Sequence, residues 1–506
     1  MRGFKVILPG LLALSLVACK VGPTFKEPNV PVPDKFAGAR SGASDLPEPK
    51  VTTDSADGSF WWRQFQDPEL DRLEDRVAAG NLDLKAAFLR MVEARTQVQA
   101  ARAQALPSLG ATASYNREQL GLAGIVKSQH VDTGASPAAA GLISSFETPV
   151  NLYQVGFDAS WELDLFGKVR RSVEAADARS QSAIEARNDL LVSLQAEVAQ
   201  TYLQLRAAQV LRKVTADEIA AQRDVADLTQ NRYEHGLAGE GDVASARAQL
   251  ATLQSQLPPY EQSVATSRHA LAVLMGQTPE SLDGEFGDAG ELPPIPASIP
   301  VDLPSSLARR RPDIRESEAT LHSATAQVGV AVASLFPDVS LTGTLGLRNL
   351  SPGYLFDWDS KFYTLSPAVS VPLFQGGALR ANVHLSRAQA AEAEINYHKT
   401  VLNALQEVED GLTALHQDAL RTASLRNSLG ADHRALEIDT DLYAHGLITY
   451  INVLTVQIQT VEAEQALANA LLSQSTDIVK LYKALGGGWQ DNANQTAKES
   501  APPEMR

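Results

Sequence analysis

The side chains able to do chemistry are few, and two of them sit in nearly identical strings. His235 lies in "YEHGL" (233 to 237) and His445 in "YAHGL" (443 to 447). Imidazoles gathered from several copies of the chain could hold a metal ion or sense pH near neutrality. Neither has a second His, a Cys or paired carboxylates at ligand spacing, which a metal site needs, and the other seven histidines are dispersed. No Gly-rich phosphate loop, His-Glu-x-x-His, Cys-x-x-Cys or Ser-centred nucleophile elbow occurs. Pairs such as Glu407 and Asp410 fall on amphipathic helical stretches, where solvated charge is ordinary. The expectation is a protein that is not an enzyme, with no catalytic residue, no metal and no cofactor. A formal charge of -16 without any Lys/Arg-dense stripe speaks against nucleic acid as a partner, since binding there rests on phosphate neutralisation.

The single cysteine does carry a chemistry. "MRGFKVILPGLLALSLVAC" begins with Arg2 and Lys5, continues through an apolar stretch, and ends at Cys19, so residues 1–18 read as a secretory signal peptide. "LVAC" resembles the lipobox of bacterial lipoproteins, which implies that Cys19 is the acylated first residue of the mature chain, carrying fatty chains such as palmitate. No cysteine is then left for a disulfide. Lys20, a residue other than aspartate, implies by the same resemblance sorting to the outer membrane.

Beyond residue 18 no run of about 18 apolar residues occurs, so a bilayer can be crossed only by strands. In "LYQVGFDASWELDLFG" (152 to 167) Tyr153, Val155, Phe157, Ala159, Trp161 and Leu163 alternate with polar or small residues. "PSLGATASYN" (107 to 116), "PDVSLTGTLGLR" (337 to 348) and "FYTLSPAVSVPLF" (362 to 374) alternate likewise. Each spans roughly 10 residues, the length of a tilted membrane strand. Pro367 is the exception within the fourth, because proline cannot donate to a ladder.

These strands belong to two copies of one unit. A shift of 230 lays Pro107 on Pro337, and a shift of 210 lays "GKVRRSV" (167 to 173) on "GALRANV" (377 to 383) and "YEHGL" on "YAHGL". The difference assigns extra residues to the Gly/Ala/Ser-rich connection from Arg117 to Asn151. Each copy reads helix, strand, loop, strand, long helix, turn, helix. Val401, Leu405, Val408, Leu412, Leu415 and Ala419 make a coiled-coil stripe, echoed by Leu191, Val198, Tyr202 and Leu205. The stretches 167–232 and 377–442 contain no proline, so each can run as one helix close to 100 Å long at 1.5 Å per residue. Residues 277–304 carry six prolines and admit neither a helix nor a central strand. The tail "QDNANQTAKESAPPEMR" is polar and expected to be disordered.

Four strands per chain cannot close a barrel, and open edges are intolerable in hydrocarbon. Several chains must therefore share one barrel, with three copies giving twelve strands, the apolar row on lipid and the polar row on a wet lumen. Tyr153 and Trp161 then fall where aromatic belts lie. A lipid-anchored coiled-coil structural or adhesion protein of the envelope is the alternative class, and it leaves the strand hairpins unexplained.

Six stretches carry a resemblance: "FWWRQFQDPELDRL" (60 to 73), "SWELDLFGKVRRSVEAA" (160 to 176), "RYEHGLAGEGDV" (232 to 243), "LARRRPDIRESEATL" (307 to 321), "VPLFQGG" (371 to 377) and "LYAHGLITYINVLTVQ" (442 to 457). The chain resembles the outer-membrane efflux lipoproteins of the TolC, OprM and NodT type. That implies an α+β membrane protein: a homotrimer whose twelve-stranded β-barrel in the outer membrane continues into a periplasmic α-helical coiled-coil barrel. It also implies passive conduction to the cell exterior in partnership with a periplasmic adaptor and an inner-membrane transporter of the RND type. An exit duct for type I protein secretion is an alternative within the family; lipidation favours multidrug efflux. The resulting layout is residues 19–66 as lipidated segment and part of an equatorial belt, and 67–276 as the first copy (strands 107–117 and 152–164, helices 168–232 and 242–275). Residues 277–304 form the inter-repeat linker, 305–488 the second copy (strands 337–348 and 362–374, helices 378–442 and 452–485), and 489–506 the tail.

The resemblance places the functional ends at the helix-to-helix turns. Tyr233, Gly236, Leu237, Gly446 and Leu447 map to adaptor-docking tips. Tyr443 maps to a tyrosine that links neighbouring helices, Asp242 to an aspartate that holds the closed state through hydrogen bonds to the neighbouring tip, and Ile451 and Thr455 to positions that narrow the pore. Relatives often carry acidic residues where this chain has Asn452 and Thr455, so a plug of three Ile451 side chains is expected in place of an acidic ring.

Overall fold

A computed structural model describes residues 20–38, 49–52, 58–119, 149–287, 290–301 and 304–489. The signal peptide, Cys19, most of the Arg117–Asn151 connection and the tail beyond Trp489 lie outside the described residues.

In chain order the elements are β1 (Lys50–Thr52), a 3-10 helix (Gly58–Phe65), α1 (Pro68–Gly80), α2 (Leu82–Ala103), β2 (Ser108–Glu118), β3 (Val150–Leu163), α3 (Lys168–Glu234) and α4 (Glu240–Leu274). There follow a 3-10 turn (Pro279–Leu282), β4 (Ser298–Pro300), α5 (Pro304–Arg310), α6 (Pro312–Ala333), β5 (Asp338–Asn349), two 3-10 turns (Pro352–Tyr354 and Trp358–Ser360), β6 (Lys361–Ser370), α7 (Ala378–Ala444) and α8 (Tyr450–Ala484). α3 and α7 each have 67 residues, α4 and α8 each 35. Pro258 and Pro259 lie inside α4 without dividing it, although each removes a backbone donor.

Two compact units are woven from both halves of the chain: one from 1–26, 94–180 and 320–393, the other from 27–93, 181–319 and 394–506. They therefore cut across the two sequence copies. The physical reason lies in the sheet of the first unit, ordered β2-β3-β5-β6 and antiparallel throughout, where β3 of one half pairs with β5 of the other along eleven positions from Tyr153↔Asn349 to Leu163↔Val339. The register brings Ala111, Phe157, Leu345 and Tyr363 into one row, and Leu109, Ala159, Gly343 and Leu365 into another. Since side chains alternate across a strand, the apolar residues of all four strands share one face. Phe157, Leu345, Leu365 and Tyr363 on it are 56, 61, 67 and 82 % exposed.

β6 corrects the expected strand 362–374: it ends at Ser370, because Pro372 has no N–H for the ladder. Pro367 stays within it, tolerated on the outer strand of the protomer's sheet.

The second unit is held by the helical stripes. Val401, Val408, Leu412, Leu415 and Ala419 are buried, as are Leu191, Val198, Tyr202 and Leu205; Leu405 is half-buried and Ala404 takes the core place beside it. Asp67 starts α1 by accepting hydrogen bonds from the Glu69 and Leu70 amides, and also accepts one from the Tyr202 hydroxyl at 2.6 Å. Trp61 stacks on Tyr482 with centroids 5.3 Å apart. The Pro-rich region differs from expectation in detail: it contains a 3-10 turn and β4, which pairs in parallel with β1 as a two-stranded sheet. Trp489, assigned to a disordered tail, is instead buried at 7 % exposure; its indole donates to the Arg310 carbonyl and lies under the Arg315 guanidinium.

Candidate functional site

The two helix turns of the second unit have the same construction. After α3, Gly236 takes φ +71°, its N–H donates to the Tyr233 carbonyl, and Leu237 N–H reaches back to Arg232. After α7, Gly446 takes φ +74°, with Gly446 donating to Tyr443 and Leu447 to Leu442. This bond pair is the Schellman stop, in which glycine supplies the left-handed residue at little cost. Leu237 and Leu447, each one residue past its glycine, are 68 and 71 % exposed, and Tyr233 is 42 % exposed.

Local geometry occupies some residues that the resemblance assigned elsewhere. Asp242 accepts the Gly239 N–H at 3.0 Å, half of a capping box that starts α4. Asn452 holds the equivalent position in α8 and accepts the Thr449 hydroxyl at 2.9 Å. Ile451 is 59 % exposed, and Thr455, one turn further on the same face, returns its hydroxyl to the Ile451 carbonyl. Tyr443 is buried against Tyr450, its ring covered by the Arg232 guanidinium at 4.6 Å while Arg232 donates to the Tyr443 carbonyl. The Tyr443 hydroxyl itself has no hydrogen-bond partner within the described chain. Sequence reasoning missed Arg232, Tyr450 and Gln222, the last donating to the Tyr450 hydroxyl and to the Ala246 carbonyl. Burial pushes the Tyr450 phenol up, against the Gln222 hydrogen bond that pulls it down, so it stays neutral. Buried polar groups facing each other across helices are found only after packing is known, and no short motif marks them.

His235 and His445 each place Nδ1 on the carbonyl four residues earlier, Asn231 and Asp441, at 2.7 and 2.8 Å. Among the described residues no cluster of three or more His, Cys, Asp or Glu side chains has metal-holding geometry.

In the first unit, the sheet face opposite the apolar one is polar. Asp158 accepts hydroxyl hydrogen bonds from Thr112 and Thr344 at 2.6 and 3.0 Å, and Arg348 donates to Gln154. Trp161, near the helix end of the sheet, donates its indole N–H to the Ala105 carbonyl; Tyr115 and Tyr153 pair near the other end with centroids 5.0 Å apart. A sheet greasy on one side and hydrogen-bonded on the other, flanked by aromatic residues at both ends, has the anatomy of an outer-membrane barrel wall. Among the described residues no helix is long and apolar enough to cross a membrane.

The sheet and the paired helix turns together define the class as an outer-membrane channel, and comparison with known proteins makes that specific. The outer membrane efflux protein family matches residues 73–277 and 303–487. The chain is 32 % identical over 498 residues to the probable efflux pump outer membrane protein TtgC of Pseudomonas putida, covering 97 % of this chain and 99 % of that one. It is 30 % identical to nodulation protein T of Rhizobium leguminosarum bv. viciae, covering 97 % and 94 %. The solved outer-membrane channel OprN superposes with a TM-score of 0.81 at 32 % identity, covering 93 % of this chain and all of that one.

This chain belongs to the outer membrane efflux protein family. It resides in the outer membrane and serves as the channel by which an efflux pump discharges to the exterior.

Proposed function

We propose that three copies of the chain form the exit duct of a tripartite pump, passing drugs or other small molecules from an RND-type inner-membrane transporter through a periplasmic adaptor to the outside. The observation that supports this best is the sheet: one apolar face, and outer strands β2 and β6 that have no partner strand on their far sides among the described residues. Each unpaired backbone group in hydrocarbon costs several kcal/mol, so these edges must be closed by other copies. Three copies supply twelve strands, within the even-numbered range of outer-membrane barrels. Leu385, Ile395, Leu402 and Leu420, exposed on α7, are then surfaces for neighbouring copies. Cys19 carries the covalent lipid that anchors each copy. At the tips, Leu237 and Leu447 with Tyr233, Gly236 and Gly446 receive the adaptor, and three Ile451 side chains narrow the aperture. Thr455 and Asn452 line it without charge, and Asp242 and Tyr443 hold the closed arrangement.

The test is the mass of the purified protein in detergent together with its current across a planar bilayer. A trimer that conducts, at least once its tips are loosened, is expected. A stable monomer that passes no current would overturn the proposal.

A further inference from the structure

Tyr354, Phe356 and Trp358 are the aromatic residues of the β5–β6 connection, and all three are exposed, Phe356 and Trp358 at 77 and 75 %. Apolar side chains gathered at a surface in this way mark contact with a membrane or a partner. The connection has a defined place in the first unit. α2 and α6 lead into β2 and β5, while α3 and α7 leave β3 and β6. The helices therefore join the sheet at one end, and the β5–β6 connection closes the other, which faces the exterior when the helices are periplasmic.

Internal hydrogen bonds set the shape of this connection. Ser360, buried at the return into β6, donates its hydroxyl to the Tyr354 carbonyl at 2.7 Å and accepts from Asn349 Nδ2 at 2.8 Å. Asn349 Oδ1 takes the Ser351 N–H at 3.0 Å, and the Ser360 N–H donates to the Asp357 carbonyl at 2.9 Å. Phe356 and Trp358 are thereby held beside the sheet, and between them and the strands runs a groove of about 870 Å³, a volume typical of small-ligand sites.

The groove belongs to the apolar face. Its floor includes Ala113, Val155 and Leu347, one row of the register, and Leu345 with Tyr363 from the next. Gln154, Asp158 and Arg348, on the opposite face, take no part in it. Among the side chains that line it only Lys361 is charged. This residue opens β6 at the exterior end, and its Nζ lies 4.8 Å from the Trp358 ring centroid, a cation-π distance. Asp357 and Asp359, from the same connection, do not line the groove. An apolar slot on a membrane-facing wall, with aromatic rings and one ammonium at headgroup depth, fits an acyl chain and the phosphate above it.

We infer that this groove binds lipid A, the phosphorylated glycolipid of the outer leaflet, with Phe356 and Trp358 clamping one acyl chain against the strands and Lys361 taking a phosphate of the headgroup. A phospholipid of the inner leaflet would bring its phosphate to the other end of the sheet, away from Lys361. The inference rests on the reading of the apolar face as lying in the bilayer. A lipid seated here ties the β5–β6 connection to the outer leaflet and fixes the depth of the duct's rim.

The experiment titrates the purified full chain in detergent with lipid A, with lipid A stripped of its phosphates, and with phosphatidylglycerol, and counts bound lipid by native mass spectrometry. Wild-type protein should bind lipid A at least fivefold more tightly than either of the others. Lys361→Gln should lose that fivefold preference for the phosphorylated form, and Phe356→Ala combined with Trp358→Ala should weaken both forms of lipid A. Arg117→Gln, a basic residue of β2 outside the groove, should change neither. Equal binding by wild type and Lys361→Gln, or phosphatidylglycerol bound as tightly as lipid A, would overturn the inference. Recovery of the wild-type chain from outer membranes and its bilayer current judge the barrel reading separately: an inserted, conducting protein whose lipid binding is indifferent to Lys361 refutes the groove alone, whereas a chain that never inserts refutes both.

Discussion

Glu74 offers a stability test whose sign and size follow from its surroundings. It lies on α1 at 2 % exposure, with buried Leu70, Leu73 and Val77 on the same helix, and neither carboxylate oxygen has a hydrogen-bond partner within the described chain. Burial, and then the neighbouring Asp75 and Asp71 charges, hold its carboxyl well above the ordinary 4.5. Above that value the unfolded chain releases the proton while the folded chain retains it. Stability therefore falls as pH rises, by about 1.4 kcal/mol per unit, until the folded carboxyl itself ionises. The loss accumulates over the whole pH interval between the ordinary 4.5 and the raised value of the folded carboxyl. Glu74→Gln, shaped like the neutral acid, should abolish this slope; Glu74→Met should also remove the orphaned oxygens and gain a further 1–3 kcal/mol or so. The measurement is amide exchange across α1, corrected for intrinsic rates, at several pH values in the assembled protein. Equal slopes in wild type and Glu74→Gln, or a glutamine variant less stable at pH 7.5, would refute the reasoning.

Other expectations concern the wall, the aperture and Glu174. Phe157, midway along β3, lies on the exposed apolar face of the sheet, which the proposed barrel turns to lipid, so Phe157→Arg should cost about 2–4 kcal/mol and deplete the oligomer from outer membranes; wild-type amounts would contradict the assigned face. A Cβ at Gly346 would stand 2.4 Å from the Val155 carbonyl oxygen, whereas at Gly343 the nearest neighbour is 3.7 Å away. Gly346→Ala should thus impair assembly and Gly343→Ala should not, as judged by the same oligomer band. Ile451→Asp should turn a neutral constriction into a cation-attracting one, visible as a shift of reversal potential in a salt gradient, and unchanged selectivity would remove Ile451 from the pore. Burial raises the Glu174 carboxyl, yet hydrogen bonds from Lys20, His322 and Arg171 together bring it below the ordinary range. Its contribution is present above pH 4.5 and fades as pH falls through the lowered value. Arg171 also donates to the Val21 carbonyl, so Val21 amide exchange should accelerate on acidification below 4.5 in wild type but not in Glu174→Gln.

How much could be read in advance differs from residue to residue. Alternation in 152–163 announced a two-faced strand because the period is local. Gly236 and Gly446 announced helix stops, since only glycine takes that backbone freely. Gly239-x-x-Asp242 and Thr449-x-x-Asn452 have capping spacing, and the structure shows the local bond each makes at its own helix start. Trp489 was lost in a polar tail because composition averages over a single buried indole. The Tyr443–Arg232 and Tyr450–Gln222 contacts join residues more than 200 positions apart, and no window of sequence spans them.

Period, proline absence and glycine punctuation therefore determined by themselves which segments are strands or long helices and which strand face is greasy, because these properties arise among residues a few positions apart. Only the tertiary structure decided that β3 neighbours β5, that the two halves interleave into both compact units, and that Val21 and Gly22 thread past Gly329 and Arg171. Those outcomes depend on which distant surfaces fit within ångströms, and the approach of Gly22 to Gly329, where a Cβ would stand 2.6 Å from the Gly329 Cα, has no signature in either residue's neighbourhood.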